Sequence, residues 1–295
     1  LQKKFGGNLK VNENLSKYSW FNLGGNADIF FRPDSVDQLI NFLKEVRENN
    51  YKVHILGAGS NTLIRDAGFK GAVIKLSSKF TDIKLLSKDT IEVGAAMLDR
   101  KVSDFALNND ISNMEFLSCI PGSIGGAITM NSGCYGSDIS KILLSIKVID
   151  YNGKEKEIKK NDIKFYYRGT DLPENYIILS AVLKGNVSSK KLIIKKKEEL
   201  VQKKKESQPS QIKTGGSTFK NNKEKKAWEL IKNSGCDKFF VGDAKISEKH
   251  CNFFINNGKA KASDIEKLIY KVKKEVQSQT GVSLDLEIKI IGDEK

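Results

Sequence analysis

Val36, Leu39, Ile40, Leu43 and Val46 recur at helical spacing, which predicts an amphipathic helix over 35–49 with Asp34 or Ser35 as its cap. Residues 53–56 form a short, continuous apolar run and read as a buried strand. The loop Gly57-Ala58-Gly59-Ser60-Asn61 follows, and then a second apolar run over 72–76. Further strands are predicted at 91–94, 146–151 and 176–184. Leu98, Val102, Phe105 and Ala106 predict a helix over 98–109. Helices and strands intermix without a regular βαβ period.

Beyond residue 186 the pattern changes. Residues 190–205 combine apolar positions at helical spacing with many lysines, and 207–216 are rich in turn residues, so a domain boundary is expected just before the lysine-rich helix. A helix is predicted over 227–233 ending in Gly235, a strand over 251–256, and a long helix over 263–279 closed by Gly281. In 283–290, Leu284, Leu286, Ile288 and Ile290 alternate with Ser283, Asp285, Glu287 and Lys289. This predicts a closing strand with one face in the core and the other outward.

Composition narrows the function. The 295 residues are 39% hydrophobic and 29% charged, an ordinary globular balance with room for two domains. No apolar run reaches the roughly eighteen residues of a membrane span, and no signal-peptide pattern opens the chain, so no membrane insertion and a cytoplasmic location are expected. Cys119, Cys134, Cys236 and Cys251 lie far apart in sequence, a spacing that offers neither a disulfide framework nor a redox pair. With His54 and His250 as the only histidines, no metal site is expected. The net charge of +14 raises the question of nucleic acid. Much of the excess lies in the lysine-rich helix, which carries no interleaved aromatic for base stacking, so a solvated helix face is the simpler reading and no nucleic-acid partner is expected.

Two glycine-dense segments are candidates for chemistry. In 57–61 the glycines follow a strand, as in phosphate-binding loops, but the third glycine of a Rossmann fingerprint is missing at Thr62, and the chain turns at once into another strand. The second segment, over 121–136, carries Gly122, Gly125, Gly126, Gly133 and Gly136, a density that suggests left-handed backbone or close approach to a ligand. It reads as a shaped loop with Ile124, Ile128 and Met130 partly buried. Two spaced glycine loops suit an extended cofactor. Arg168, Ser217 and Glu287 stand out as polar candidates, and each also has a plain reading as a surface cation, a turn residue and a solvated strand position.

Several segments, taken in order, resemble the UDP-N-acetylenolpyruvoylglucosamine reductase family across nearly the whole chain. They are Ser19-Trp20-Phe21-Asn22-Leu23-Gly24-Gly25, the two glycine segments, Tyr167-Arg168, Gly216 through Asn221, Ser247-Glu248-Lys249-His250, and Leu286-Glu287-Ile288-Lys289-Ile290-Ile291-Gly292. The resemblance implies an α+β fold: a vanillyl-alcohol-oxidase type FAD-binding domain over 1–186, made of two α+β subdomains at about 1–78 and 79–186, and an α+β substrate-binding domain over 187–295. It is similar to the family's shorter type, which lacks an extra tyrosine-bearing loop.

The resemblance further implies that NADPH reduces FAD and that the enolpyruvyl nucleotide sugar then accepts hydride, in the synthesis of a peptidoglycan precursor. It assigns Arg168 and Glu287 to stabilising the enolate and Ser217 to protonation. FAD is expected against Gly57, Ala58, Gly59, Ser60, Asn61, Pro121, Gly122, Ser123, Gly125, Gly126, Ala127, Asn131 and Gly133, and substrate against Lys220 and Asn221. The chain departs from the family pattern at Asn222, where proline is usual, and at Asp243, where a small residue is usual. The rival reading is another flavin oxidoreductase of the same superfamily acting on an alcohol or sugar.

Overall fold

The structure, a computed structural model, describes residues 1–222 and 224–294. The chain folds as two compact units, one of residues 1–11, 29–58 and 71–204, the other of 12–28, 59–70 and 205–295. Because segments near the N-terminus belong to the second unit, the units do not follow one cut in the chain. The division at 186/187 therefore stays a proposal about domains.

In the first unit, the strands Leu9–Asn14, Asn26–Phe31, Phe69–Ile74 and Val53–Ile55 lie side by side in that order, with Val53–Ile55 parallel to Phe69–Ile74; the ends of three of them run on into second-unit segments. Helix Val36–Glu48 covers this sheet with Leu39, Phe42, Leu43 and Val46. Its cap is Ser35, whose hydroxyl accepts from Gln38 N at 3.1 Å. Phe31 and Phe42 stack with centroids 4.0 Å apart.

A second, antiparallel sheet runs Glu155–Lys159, Leu143–Asp150, Tyr176–Lys184, Thr90–Gly94, Ile83–Ser87. Its core takes in Val102 and Ala106 of helix Asp99–Asn108, Ile124 and Ile128, and Leu200 from helix Lys190–Ser207. The glycine-dense segment expected to be a loop folds over Ile124–Thr129 into a short helix, because Ile124, Ala127 and Ile128 share a face that the core buries.

The second unit joins a four-stranded antiparallel sheet, ordered Lys213–Ser217, Phe253–Asn256, Ala244–Ile246, Phe240–Val241, to helices Ala227–Asn233 and Ala262–Thr280. Gly281 closes the long helix in the left-handed conformation at φ 70. The closing strand is shorter than the alternation predicts. Leu284 and Ile288 are buried, but 283–288 makes only one bridge, Leu286 with Phe219, before Lys289–Ile291 pairs in parallel with Thr62–Ile64.

Candidate active site

Ser217 ends strand Lys213–Ser217, where the ladder to Phe253–Asn256 shifts register after Thr214. The two glycines in that bulge have different reasons to be there. A Cβ on Gly215 would come within 2.4 Å of the Phe21 ring, and Gly216 has φ +78. Asn252, only 3% exposed, then clamps the next turn: its Oδ1 accepts from Phe219 N at 2.9 Å and its Nδ2 donates to Phe219 O at 2.8 Å. Thr218 N donates to Asn252 O at 2.7 Å. The segment that follows Ser217 is thus held by a buried amide through both polar groups of the Phe219 backbone.

Glu287 is bound to that same segment through its backbone. Its N donates to Thr218 O at 2.9 Å, and Lys220 N donates to Asp285 O at 2.8 Å. Asn61 fixes the other side: Asn61 Nδ2 donates to Glu287 O at 3.0 Å, and Lys289 N donates to Asn61 O at 2.9 Å. Ser217 and Glu287, about seventy residues apart in sequence, therefore share one backbone framework, and both side chains are half-buried. Asn61 carries its amide group on this framework. Its coupling to Glu287 has no signal in the sequence, because only the parallel pairing of Thr62–Ile64 with Lys289–Ile291 brings it about.

Lys220 is half-buried and Asn221 exposed. Asn221 Oδ1 accepts from Ala227 N at 2.9 Å, so this side chain also caps the following helix. At the two departures from the family pattern, side-chain oxygens close turns. Asn222 Oδ1 accepts from Glu224 N at 3.0 Å, and Asp243 Oδ2 accepts from Lys259 N at 3.0 Å.

Arg168 belongs to the first unit, in the two-residue turn between strands Phe165–Tyr166 and Gly169–Thr170. Its φ of 59 is unusual for a residue with a Cβ, a conformation that surrounding structure must impose. The imposing contacts are visible. Gly169 lies where a Cβ would meet the Tyr166 ring at 2.1 Å, and Asn131 Nδ2 donates to Tyr166 O at 3.2 Å while Asn131 Oδ1 accepts from Ser140 N at 3.1 Å. The Arg168 guanidinium lies 5.0 Å from the centroid of the Tyr167 ring. Asn131 thus builds the Arg168 turn. Gly133 serves the adjoining hairpin, where a Cβ would lie 2.3 Å from Ser137 O.

The first glycine loop fits a phosphate-bearing cofactor. Among the described residues, the amides of Gly57, Ala58, Gly59, Ser60 and Asn61 donate to no acceptor. Gly59 has φ +72, and a Cβ there would lie 1.9 Å from Tyr18 O, so a bare backbone is required. Backbone amides without an acceptor are available to an anion. Lys75 Nζ donates to Gly57 O, and burial, followed by the nearby Arg32 charge, brings its pKa down to about 8. In the second segment, Gly125 N donates to Ala95 O at 2.9 Å and Ile124 N to Met97 O at 3.0 Å. These bonds hold exposed Pro121 and Gly126, half-buried Gly122 and Gly125, and buried Ser123 and Ala127 against the sheet. The donors present suit the diphosphate of FAD.

The fold also brings together two cysteines that lie far apart in the sequence. Cys119 and Cys134 come together in one hydrophobic cluster, although fifteen peptide bonds of chain separate them. Helix Glu115–Cys119 and strand Gly133–Cys134 pack together and create a pair that the spacing conceals.

Comparison with known proteins identifies the family. Residues 208–291 match the family described as UDP-N-acetylenolpyruvoylglucosamine reductase, C-terminal domain, and residues 27–159 match an FAD binding domain. The UDP-N-acetylenolpyruvoylglucosamine reductase of Pelagibacter ubique is 48% identical over 286 residues, covering 96% of this chain and 94% of that protein. That of Wolbachia pipientis is 40% identical over 279 residues, covering 94% of each. The crystal structure of the Thermus caldophilus enzyme, UDP-N-acetylenolpyruvylglucosamine reductase, superposes with a TM-score of 0.83 at 29% identity, covering 96% of this chain and 97% of that one. With nearly full-length identity of this order and an α+β fold that carries both matched domains, the chain belongs to the UDP-N-acetylenolpyruvoylglucosamine reductase family.

Proposed function

We propose that the chain reduces UDP-N-acetylenolpyruvoylglucosamine to UDP-N-acetylmuramate in the cytoplasm, with NADPH as electron source and FAD as relay, as a step of peptidoglycan precursor synthesis. The observation that supports this best is the framework joining Ser217 to Glu287 through the bond from Glu287 N to Thr218 O. Residues 1–186 bind FAD, with the loop at 57–61 and the segment 121–127 as its anchors, and residues 187–295 bind the substrate.

Bound FAD supplies hydride chemistry, directed at the terminal carbon of the enol ether. As negative charge builds beside the substrate carboxylate, the planar guanidinium of Arg168 donates to it in a fixed fork whose bonds strengthen with that charge. Glu287 acts in its protonated form, since an ionised carboxyl would repel the developing enolate. Its peptide N donates to Thr218 O and its carbonyl accepts from Asn61 Nδ2, which supports the backbone that carries this carboxyl. Ser217 Oγ gives its proton to the adjacent carbon, and the Lys220 ammonium three residues along the chain favours the alkoxide that results. Lys220 also meets the substrate phosphates, and Asn221 contributes its Nδ2 donor.

Ser217→Ala is the direct test. Stopped-flow spectra should show unchanged flavin reduction by NADPH and reoxidation by the enol ether slowed roughly a hundredfold or more. A wild-type reoxidation rate would remove Ser217 from proton transfer. Arg168→Ala and Glu287→Gln should purify yellow and also reoxidise slowly; colourless protein would assign those two residues to the fold.

A further inference from the structure

Cys119 ends the short helix Glu115–Cys119 and is 5% exposed, while Cys134 is half-buried in the two-residue strand packed on it. The sulfurs are oriented by local contacts: Cys134 Sγ donates to Phe116 O at 3.6 Å, and Ser118 Oγ lies 3.7 Å from Cys119 Sγ. Two cations face the pair. Lys204 Nζ donates to Cys119 O at 3.0 Å, and the Arg168 charge acts on Cys134. We propose that Cys119 and Cys134 form an oxidation site at which hydrogen peroxide closes a reversible disulfide that disturbs the Arg168 turn.

The two thiols divide the work unequally. The neighbouring Cys134 thiol, with the Ser118 hydroxyl and the Lys204 charge, holds the Cys119 thiol below its ordinary value against burial, whereas Cys119 and burial push Cys134 up. Cys119 is therefore the thiolate, and the thiolate is the nucleophile. Its sulfur attacks one peroxide oxygen and the O–O bond breaks; the other oxygen leaves as hydroxide and becomes water on taking a proton, with Cys119 now a sulfenic acid. The Cys134 sulfur, giving up its proton, attacks that sulfenic sulfur. The S–S bond forms, the S–O bond breaks and the second oxygen leaves as water. One peroxide and two thiols give one disulfide and two waters, the sulfurs together losing the two electrons that the peroxide gains.

The connection to Arg168 is short. Cys134 lies three residues after Asn131, whose amide holds Tyr166 O at the base of the Arg168 turn. Closing a bond at Cys134 pulls on that strand, and a displacement near 1 Å suffices to spoil a positioned group. Cys236 and Cys251 provide internal controls, since burial raises both, Cys236 to about 11.

The test treats the folded, FAD-loaded enzyme with a small molar excess of hydrogen peroxide and maps peptides without reduction. The expected product is a single Cys119–Cys134 crosslink, lighter by two hydrogens, reversed by dithiothreitol, with Cys236 and Cys251 still free. In Cys134→Ser the same treatment should leave a Cys119 sulfenic acid that dimedone traps. Wild-type protein that keeps both thiols, or that gains sulfinic acid without a crosslink, would overturn the site. The effect on Arg168 rests on the reductase reading: the crosslinked enzyme should reoxidise with the enol ether on the order of tenfold more slowly and recover with dithiothreitol. An unchanged rate in fully crosslinked enzyme would overturn that link, whereas untreated enzyme that never reoxidises would instead refute the reductase reading.

Discussion

Asp99 opens helix Asp99–Asn108 with its side chain fully buried. Among the described residues neither of its oxygens, nor Ser103 Oγ one turn on, has a hydrogen-bond partner. Burial alone pushes its pKa well above 3.8. A carboxyl raised in the fold contributes its full stability below the unfolded value and loses it as pH climbs through the folded one, by up to about 1.4 kcal/mol per pH unit. Asp99→Asn cannot ionise and escapes that loss. Urea midpoints across a pH series should therefore show the variant gaining on wild type from about pH 4 upward; a difference constant with pH would contradict this account. Nothing in the sequence marks Asp99, whose position at the start of an amphipathic helix reads as a favourable first-turn charge. The same limit applies to Asn252 and to the Cys119–Cys134 pair, since each depends on partners far away in the chain. Arg168, Ser217 and Glu287 were legible only through the ordered motifs of the family, because singly each has an ordinary surface explanation.

Elements with a clear period were read well. Helix Ala227–Asn233 and strand Tyr176–Lys184 fall where the apolar pattern places them, and Ser35 caps its helix. The misreadings came where backbone pairing, which leaves no trace in periodicity, decides the outcome. Glycine density in 121–136 suggested a loop, yet three apolar side chains on one face were enough for a helical turn and a half. The alternation in 283–290 continued past the point where its ladder partner changes from Phe219 to Thr62–Ile64. That handover makes Asn61 an element-level support for Glu287. Asn61→Ala removes the bond to Glu287 O and should slow reoxidation by the enol ether by about tenfold, the equivalent of one net hydrogen bond, with NADPH reduction of the flavin retained. Rates identical to wild type in both half-reactions would show that Thr218 alone holds Glu287.

At the scale of the whole molecule, the α+β class and the presence of an FAD-binding domain agree with expectation, whereas a single linear cut does not describe the compact units. Long early segments at 12–28 and 59–70 belong with the C-terminal residues. In the second unit Phe21, Leu23 and Leu63 join the core built by Phe219, Phe254 and the long helix. This explains why Ser19-Trp20-Phe21-Asn22-Leu23-Gly24-Gly25 behaves as a motif: Ser19 Oγ donates to Thr62 O at 2.7 Å, and Phe21 O accepts from Asn256 Nδ2 at 3.0 Å. Among the described residues no helix is long and apolar enough to cross a membrane. The net charge of +14 is consistent with anionic ligands such as nucleotides. A hydride relay through FAD to an enolpyruvyl nucleotide sugar, as proposed for this chain, leaves a signature in the anaerobic flavin spectrum. Addition of NADPH to the purified protein should bleach the flavin, and addition of UDP-N-acetylenolpyruvoylglucosamine should restore it. A flavin that bleaches and stays bleached in the presence of the sugar nucleotide would contradict the account.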